Sequence, residues 1–172
     1  MKDYKLWKCQ ICGDPYLGDH APVNCPYCGA KQHYFIDAKE YVSPFTQEHN
    51  FTQEEKNNFQ AALDVEIGNA SFYKAAAATS SEDFYKWLFK SLMKVESEHA
   101  SIFAKHLGIN KPELFDIETS VDGETNVQES HRREEIAIES YRKFAETATT
   151  PRAKQVFSAL VEIENDHLSL ED

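Results

Sequence analysis

Two Glu-x-x-His motifs, Glu96-x-x-His99 and Glu164-x-x-His167, contain the residues of this sequence best suited to metal chemistry. On a helix, residues three apart share a face, so each motif can turn a carboxylate and an imidazole toward one point. This combination of ligands suits iron or manganese better than a metal that prefers thiolates. Each motif therefore predicts one half of a two-metal site.

The motifs belong to an internal repeat with a period of 68 residues (164 minus 96). The same shift relates Glu66 to Glu134 and Tyr73 to Tyr141. Glu134 precedes Tyr141 by seven residues, as Glu66 precedes Tyr73, so the repeat selects Glu134 over Glu135. Each tyrosine follows its glutamate by about two helical turns, so we expect it to hydrogen-bond a ligand carboxylate across the bundle, with simple core packing as the alternative.

Six candidate ligands thus lie on inward-facing helical stripes: Glu66, Glu96, His99, Glu134, Glu164 and His167. Any one of them alone is more often a boundary position or a satisfied core residue. Four carboxylates in one interior, however, would cost several kcal/mol each unless cations neutralised them. Two divalent ions would make the site formally neutral, and this ligand pattern is that of ferritin-like di-iron and di-manganese bundles. We expect the six ligands and the two tyrosines to form the catalytic centre.

The four cysteines of the chain, Cys9, Cys12, Cys25 and Cys28, form two Cys-x-x-Cys knuckles, each followed by glycine. Together they predict a tetrahedral four-cysteine metal site. Disulfides and a thioredoxin-like redox pair are weaker alternatives, since Met1–Lys5 does not begin a signal peptide. Such a site accepts iron or zinc. We favour iron in the four-cysteine site, because a redox-active two-metal bundle needs a source of electrons. The alternative is a structural zinc ribbon.

The elements that must position these residues divide the chain into three parts. Residues 1–36 are predicted to form the knuckle domain, residues 37–51 a linker, and residues 52–172 a four-helix bundle. The predicted fold class is therefore mainly α, a ferritin-like bundle with a small N-terminal metal-knuckle domain.

Capping signals set the predicted helix bounds. A capping box at Thr52-x-x-Glu55 begins helix one, and Gly108 follows the end of helix two. Residues 111–125 form a long crossover that lets helix three run parallel to helix two. Asn126 is predicted to cap helix three, and Thr150-Pro151 to open helix four.

Charge and hydropathy exclude several classes of partner. The net charge of −11 and the pI near 5.1 argue against nucleic-acid binding, which a cysteine ribbon might otherwise suggest. No apolar run approaches the roughly 20 residues of a membrane span. We therefore expect a cytoplasmic protein.

Both sets of motifs together resemble those of rubrerythrins, which join a rubredoxin-like knuckle domain to a ferritin-like di-iron bundle. The order of the domains is similar to that of reverse rubrerythrins. The resemblance implies reduction of hydrogen peroxide, and of dioxygen as a further oxidant, by electrons that pass from the four-cysteine iron to the two bundle irons. It also implies a homodimer or higher homo-oligomer and an electron-donor reductase or rubredoxin. The alternatives are a ferroxidase or iron-storage protein, and a binding module with a structural zinc ribbon on an inert bundle.

Two positions near Glu134 stand out, Ala137 because it departs from the rubrerythrin pattern and His131 because the first repeat has Leu63 at the corresponding position. Rubrerythrins carry a further glutamate one turn after the ligand of the third helix, where this chain has Ala137. The more symmetric ligand set leaves room for dioxygen or ferroxidase chemistry. His131 lies one turn before Glu134, and it is a candidate supporting group or extra ligand, with surface packing as the alternative.

Overall fold

The computed structural model of the chain describes residues 4–170, so part of the Met1–Lys5 segment lies outside the described residues. The N-terminal domain is a three-stranded antiparallel sheet with the order β2-β1-β3. Its strands are β1 (Lys5–Cys9), β2 (Pro15–Gly18) and β3 (Phe35–Asp37). The first knuckle joins β1 to β2, and the second lies in the long connection from β2 to β3.

Four helices follow the sheet: α1 (Gln53–Thr79), α2 (Asp83–Leu107), α3 (Gly123–Thr147) and α4 (Pro151–Ser169). The main helix pairs are α1 with α2 and α3 with α4, and α1 also contacts α3. The mainly helical, ferritin-like prediction is confirmed. Between residues 4 and 170, no helix combines the length and the apolar character needed to cross a membrane.

Most of the predicted helix ends are confirmed. The side chain of Thr52 accepts a hydrogen bond from the Glu55 amide at 3.1 Å, and the Glu55 carboxylate accepts one from the Thr52 amide at 2.9 Å. Thr150 caps α4 with Pro151 in the first turn. Gly108 ends α2 at φ 68°, a left-handed conformation that glycine adopts without a steric penalty.

The predicted cap of α3 was wrong. The helix begins three residues before Asn126, and Asp122 is its N-cap, because the Asp122 carboxylate accepts a hydrogen bond from the Thr125 amide at 3.1 Å. Asn126 instead lies buried within the first turns, where its side chain pairs with both backbone groups of Ser120. Both residue types cap helices well, so the choice depended on the path of the crossover.

One hydrophobic core joins the knuckle domain to the bundle. The buried cysteines and Ile11 belong to the same cluster as Phe59 and Phe157 of the helices. The segment 37–51 takes part, since Phe45 packs against this cluster. Gly29 of the second knuckle is in close contact with Ile163. A Cβ atom at Gly29 would lie 3.0 Å from the Ile163 side chain, and its φ of +79° also favours glycine.

Candidate metal centres

The four cysteine sulfurs form a compact, buried group. The Sγ atoms of Cys9 and Cys28 are 3.8 Å apart, as are those of Cys12 and Cys25, and all four lie within 4.8 Å of one another. A tetrahedron of sulfurs about 2.3 Å from a central metal has edges of about 3.8 Å. The cysteines are free thiols, so the disulfide alternative is wrong.

Full ionisation of these four buried thiols requires a cation beside them. Interaction with the neighbouring thiols, Cys12 foremost, lowers the pKa of Cys9, whereas Cys25 and Cys28 raise the pKa of Cys12. Without a metal the group must therefore keep some of its protons, because four thiolates cannot be buried together. The Asp14 amide points at the Cys12 sulfur at 3.4 Å. Four sulfurs at this spacing fit iron or zinc.

The second centre lies inside the bundle and consists of two overlapping groups of four ligands. Both groups contain the carboxylates of Glu96 and Glu164. Glu66 and His99 complete the first group, and Glu134 and His167 complete the second. All six predicted residues come together here, and the two groups could hold two neighbouring ions.

On α3, the structure places Glu134 in this cluster and Glu135 outside it. Glu134 is 1% exposed and belongs to the cluster, whereas Glu135 is exposed to solvent. The two residues differ by about 100° of helical rotation, so only one can face the interior.

Each imidazole faces both shared carboxylates. Nδ1 of His99 lies 2.9 Å from Glu96 and 3.2 Å from Glu164. Nδ1 of His167 lies 2.8 Å from Glu164 and 3.1 Å from Glu96. The two halves of the site therefore repeat each other in geometry as well as in sequence, with the imidazole rings stacked 6.1 Å apart.

The metal-free cluster balances its own charge. Burial raises the pKa of Glu66 and Glu134 well above the usual value, and the neighbouring charges of Glu96 and Glu164 add to this effect. Burial also opposes ionisation of Glu96. The positive charges of His99 and His167 have the stronger effect, and they hold the pKa of Glu96 well below its usual range. The protonated imidazoles thus offset the two shared carboxylates. Divalent ions would replace these protons.

Unused ligand atoms indicate that cations fit this site. Among the described residues, Oε2 of Glu134 is buried without a hydrogen-bond partner, and Oε2 of Glu66 lies 3.7 Å from Nδ1 of His99, beyond hydrogen-bond distance. Native proteins rarely leave buried carboxylate oxygens unsatisfied. The carboxylate and imidazole donors are those that iron and manganese accept.

The two tyrosines hydrogen-bond across the bundle as expected. The hydroxyl of Tyr73, on α1, donates to Oε1 of Glu134 on α3, and the hydroxyl of Tyr141, on α3, donates to Oε1 of Glu66 on α1. The Tyr73 hydroxyl also contacts Oγ of Ser130 at 2.7 Å. Because Oε1 of each of the two outer glutamates is bound by a tyrosine, its Oε2 atom is left for a metal.

The structure also shows a link between the two centres that the sequence did not suggest. Nε2 of His99 donates a hydrogen bond to the carbonyl oxygen of Cys28 at 2.9 Å. Because Nε2 keeps its proton in this bond, Nδ1 is the ring atom that would bind a metal in place of its own proton. On the neighbouring helix, Asp166 accepts hydrogen bonds from Asn24 (3.1 Å) and Lys31 of the knuckle domain.

Neither Ala137 nor His131 supplies a further ligand. Ala137 is fully buried and packs in the core one turn after Glu134. His131 is half-buried and does not belong to any of the ligand groups found among residues 4–170.

Comparison with known proteins gives matches to both parts of the chain. The family model described as "Rubrerythrin, rubredoxin-like domain" matches residues 7–36, and the model described as "Rubrerythrin" matches residues 57–170. The chain is similar to reverse rubrerythrin-1 of Clostridium acetobutylicum, with 30% identity over 113 residues. That alignment covers 60% of this chain and 62% of the relative, which is less than two thirds of its length. Comparison with solved structures gave no significant match.

Proposed function

The chain belongs to the rubrerythrin family, and from this premise we propose that it is a non-haem di-iron oxidoreductase that reduces hydrogen peroxide to water. Electrons would enter through an iron in the four-cysteine site. The observation that carries the proposal is the pair of ligand groups that share Glu96 and Glu164, joined to the four-cysteine site through His99 and Cys28.

The ligand set would hold two ions in equivalent environments. Glu66 and His99 would contribute ligands to one ion, and Glu134 and His167 to the other, with Glu96 and Glu164 within reach of both. When bound, two ferrous ions supply the two electrons that peroxide needs, and with two protons these give two molecules of water. Four carboxylates balance the charge of the two divalent ions, which makes the buried site formally neutral.

The tyrosine hydroxyls hold protons next to this site. Burial raises the pKa of Tyr73 and Tyr141 well above the usual value near 10, and the charges of the glutamates they contact raise it further. Each phenol therefore stays protonated and keeps its proton at Oη, one hydrogen bond from a ligand carboxylate. In this position the hydroxyls orient the outer carboxylates and exclude water from their Oε1 atoms.

The contact between His99 and Cys28 supports electron transfer within one chain. A sulfur ligand of the knuckle is connected to a bundle ligand through the Cys28 backbone and one hydrogen bond of 2.9 Å. Tyr34 of the knuckle domain also donates to Glu162 on α4 at 3.0 Å, which helps to hold the domain in place. A homo-oligomer and an electron-donor reductase or rubredoxin remain part of the proposal, but this path does not require a second chain.

Dioxygen is a second candidate oxidant at the same site. The observation that favours it is Ala137, which stands where rubrerythrins carry a further carboxylate and leaves the two halves of the site alike. Manganese is the alternative metal for the bundle and zinc for the knuckle, because the ligand types accept them.

Titration of anaerobically reduced, iron-loaded protein with peroxide tests the proposal. With iron in both centres, we expect complete oxidation after about one and a half equivalents of peroxide per chain, since each peroxide takes two electrons. With zinc in the knuckle, about one equivalent should suffice. Failure of the bundle iron to oxidise would contradict the proposal, and uptake of many further iron ions would favour storage.

A further inference from the structure

Arg152 is a buried cation whose hydrogen-bond partners are all neutral. It lies in the first turn of α4 with 6% of its surface exposed. Its Nη1 and Nη2 atoms donate to the carbonyl oxygens of Gln10 (2.7 Å) and Ile11 (3.1 Å). The other acceptors are Oε1 of Gln155 (2.8 Å) and Nε2 of His106 (3.1 Å). Among the described residues, Arg152 has no carboxylate within ion-pair distance.

The fourth acceptor is neutral because burial lowers the pKa of His106 to about 3, an effect that the charge of Arg152 reinforces. The imidazole also stacks on Phe59 with ring centroids 5.4 Å apart. A buried cation that meets only neutral acceptors is costly unless an opposite charge lies close by. The contacts of Arg152 indicate where that charge is.

The two carbonyl groups held by Arg152 belong to the first knuckle. Gln10 and Ile11 are the residues between Cys9 and Cys12, so the guanidinium is fixed against the loop that carries two of the four thiolates. Burial lowers the pKa of Arg152 to about 10, while Tyr41 and, after it, Cys9 and Cys12 oppose this shift. The side chain therefore remains charged at neutral pH.

We infer that Arg152 is the counter-ion of the four-cysteine centre and a positioning residue that raises the reduction potential of iron bound there. Four thiolates give a formal charge of −1 with ferric iron and −2 with ferrous iron. Reduction adds one electron from a one-electron donor and breaks no bond, so a fixed cation favours the more negative, reduced form. On another side of Cys12, the carboxylates of Asp14 and Glu98 act in the opposite direction. The inference rests on iron occupying this site, as proposed above.

The test is a redox titration of full-length protein loaded with iron without oxygen. The visible absorption of the ferric thiolate centre reports its oxidation state, with dithionite as the reductant and no peroxide present. Three variants separate charge from shape: Arg152→Gln, Arg152→Lys, and the control Lys154→Gln, which removes an exposed cation from the same helix.

For Arg152→Gln, we expect the equilibrium constant for reduction to fall about tenfold, which is about 59 mV for a one-electron couple. In Arg152→Lys, which keeps the charge, the equilibrium constant should stay within about twofold of that of the native protein. The same should hold for Lys154→Gln, because water and salt screen the charge of the exposed Lys154. An unchanged potential in Arg152→Gln with an intact visible spectrum would overturn the inference. If Arg152→Gln does not fold, Arg152→Lys provides the test. A tenfold fall in its equilibrium constant for reduction, despite the retained charge, would also overturn the inference. The potential is measured without peroxide, so the result does not depend on which oxidant the bundle reduces.

Discussion

Nε2 of His99 donates a hydrogen bond of 2.9 Å to the carbonyl oxygen of Cys28 in the same chain. His99 is a candidate ligand of the bundle site and Cys28 one of the knuckle site, so a single hydrogen bond connects the two groups of candidate ligands. The Asp166 contacts with Asn24 and Lys31 hold the knuckle domain in this position. This contact is the basis of our proposal that each bundle is reduced by its own knuckle.

Complementation between two inactive variants tests this path. Cys25→Ser removes a knuckle ligand, and Glu96→Ala removes a shared bundle carboxylate. If each knuckle serves its own bundle, co-expressed chains carrying one change each should reduce peroxide no faster than the two variants measured separately. Recovery of steady-state activity in mixed oligomers would show that the knuckle of one chain reduces the bundle of another.

Metal stoichiometry tests the choice of glutamate on α3. Glu134→Ala should reduce the bundle metal content from two ions to one, because one of the two ligand groups loses an outer carboxylate. Glu135→Ala is the matched control, since that side chain is exposed, and it should keep both ions. Elemental analysis of purified protein distinguishes these results. Loss of metal in the control alone would mean that the repeat is misaligned.

Removal of one tyrosine hydroxyl should weaken metal binding without abolishing it. Tyr141→Phe leaves Oε1 of Glu66 buried without a donor, and loss of such a supporting hydrogen bond costs about 10- to 100-fold in metal affinity. Tyr85→Phe is the control, because its hydroxyl donates to Glu124 at the surface at 3.3 Å. Competition with a chelator measures both affinities. Equal affinities in the two variants would assign Tyr141 to core packing alone.

Acid should remove the contribution of Glu55 to stability. Burial opposes its ionisation, but backbone amides of Thr150, Thr52 and Thr149 donate to it and lower its pKa to about 2, from an ordinary value of 4.5. A depressed carboxyl pKa stabilises the folded protein above the ordinary value, and this stabilisation is lost as the pH falls from about 4.5 to about 2. The full shift corresponds to about 3 kcal/mol.

Urea unfolding of metal-free protein measures this effect. The difference in unfolding free energy between the native protein and Glu55→Gln should be largest near pH 6 and should shrink steadily toward about pH 2. Glu54→Gln, an exposed neighbour in the same turn, should show almost no difference at any pH. A difference for Glu55→Gln that does not vary with pH would contradict the assigned pKa.

Most of what could be predicted about this fold and site came from the types and spacing of the side chains. The periodic apolar stripes and the repeat selected Glu134 over Glu135, because a helix turns adjacent residues to different faces. Contacts made by backbone atoms were not predictable in this way. Every residue has a carbonyl oxygen, so nothing in the sequence marked that of Cys28 as the partner of His99. The cap of α3 was missed for a related reason, since Asp122 and Asn126 are both good caps and the crossover decided between them.

The central claim is that the knuckle delivers electrons while the bundle performs the chemistry, and Cys25→Ser tests it most directly. The variant loses one of the four thiolates and keeps every bundle ligand. Multi-turnover reduction of peroxide by the native electron donor system should collapse. A single turnover, started by mixing peroxide with chemically reduced protein, should oxidise the bundle iron at a rate similar to that of the native protein, because those electrons are already stored there. Normal steady-state turnover in Cys25→Ser would contradict the claim and would make the knuckle a structural metal site.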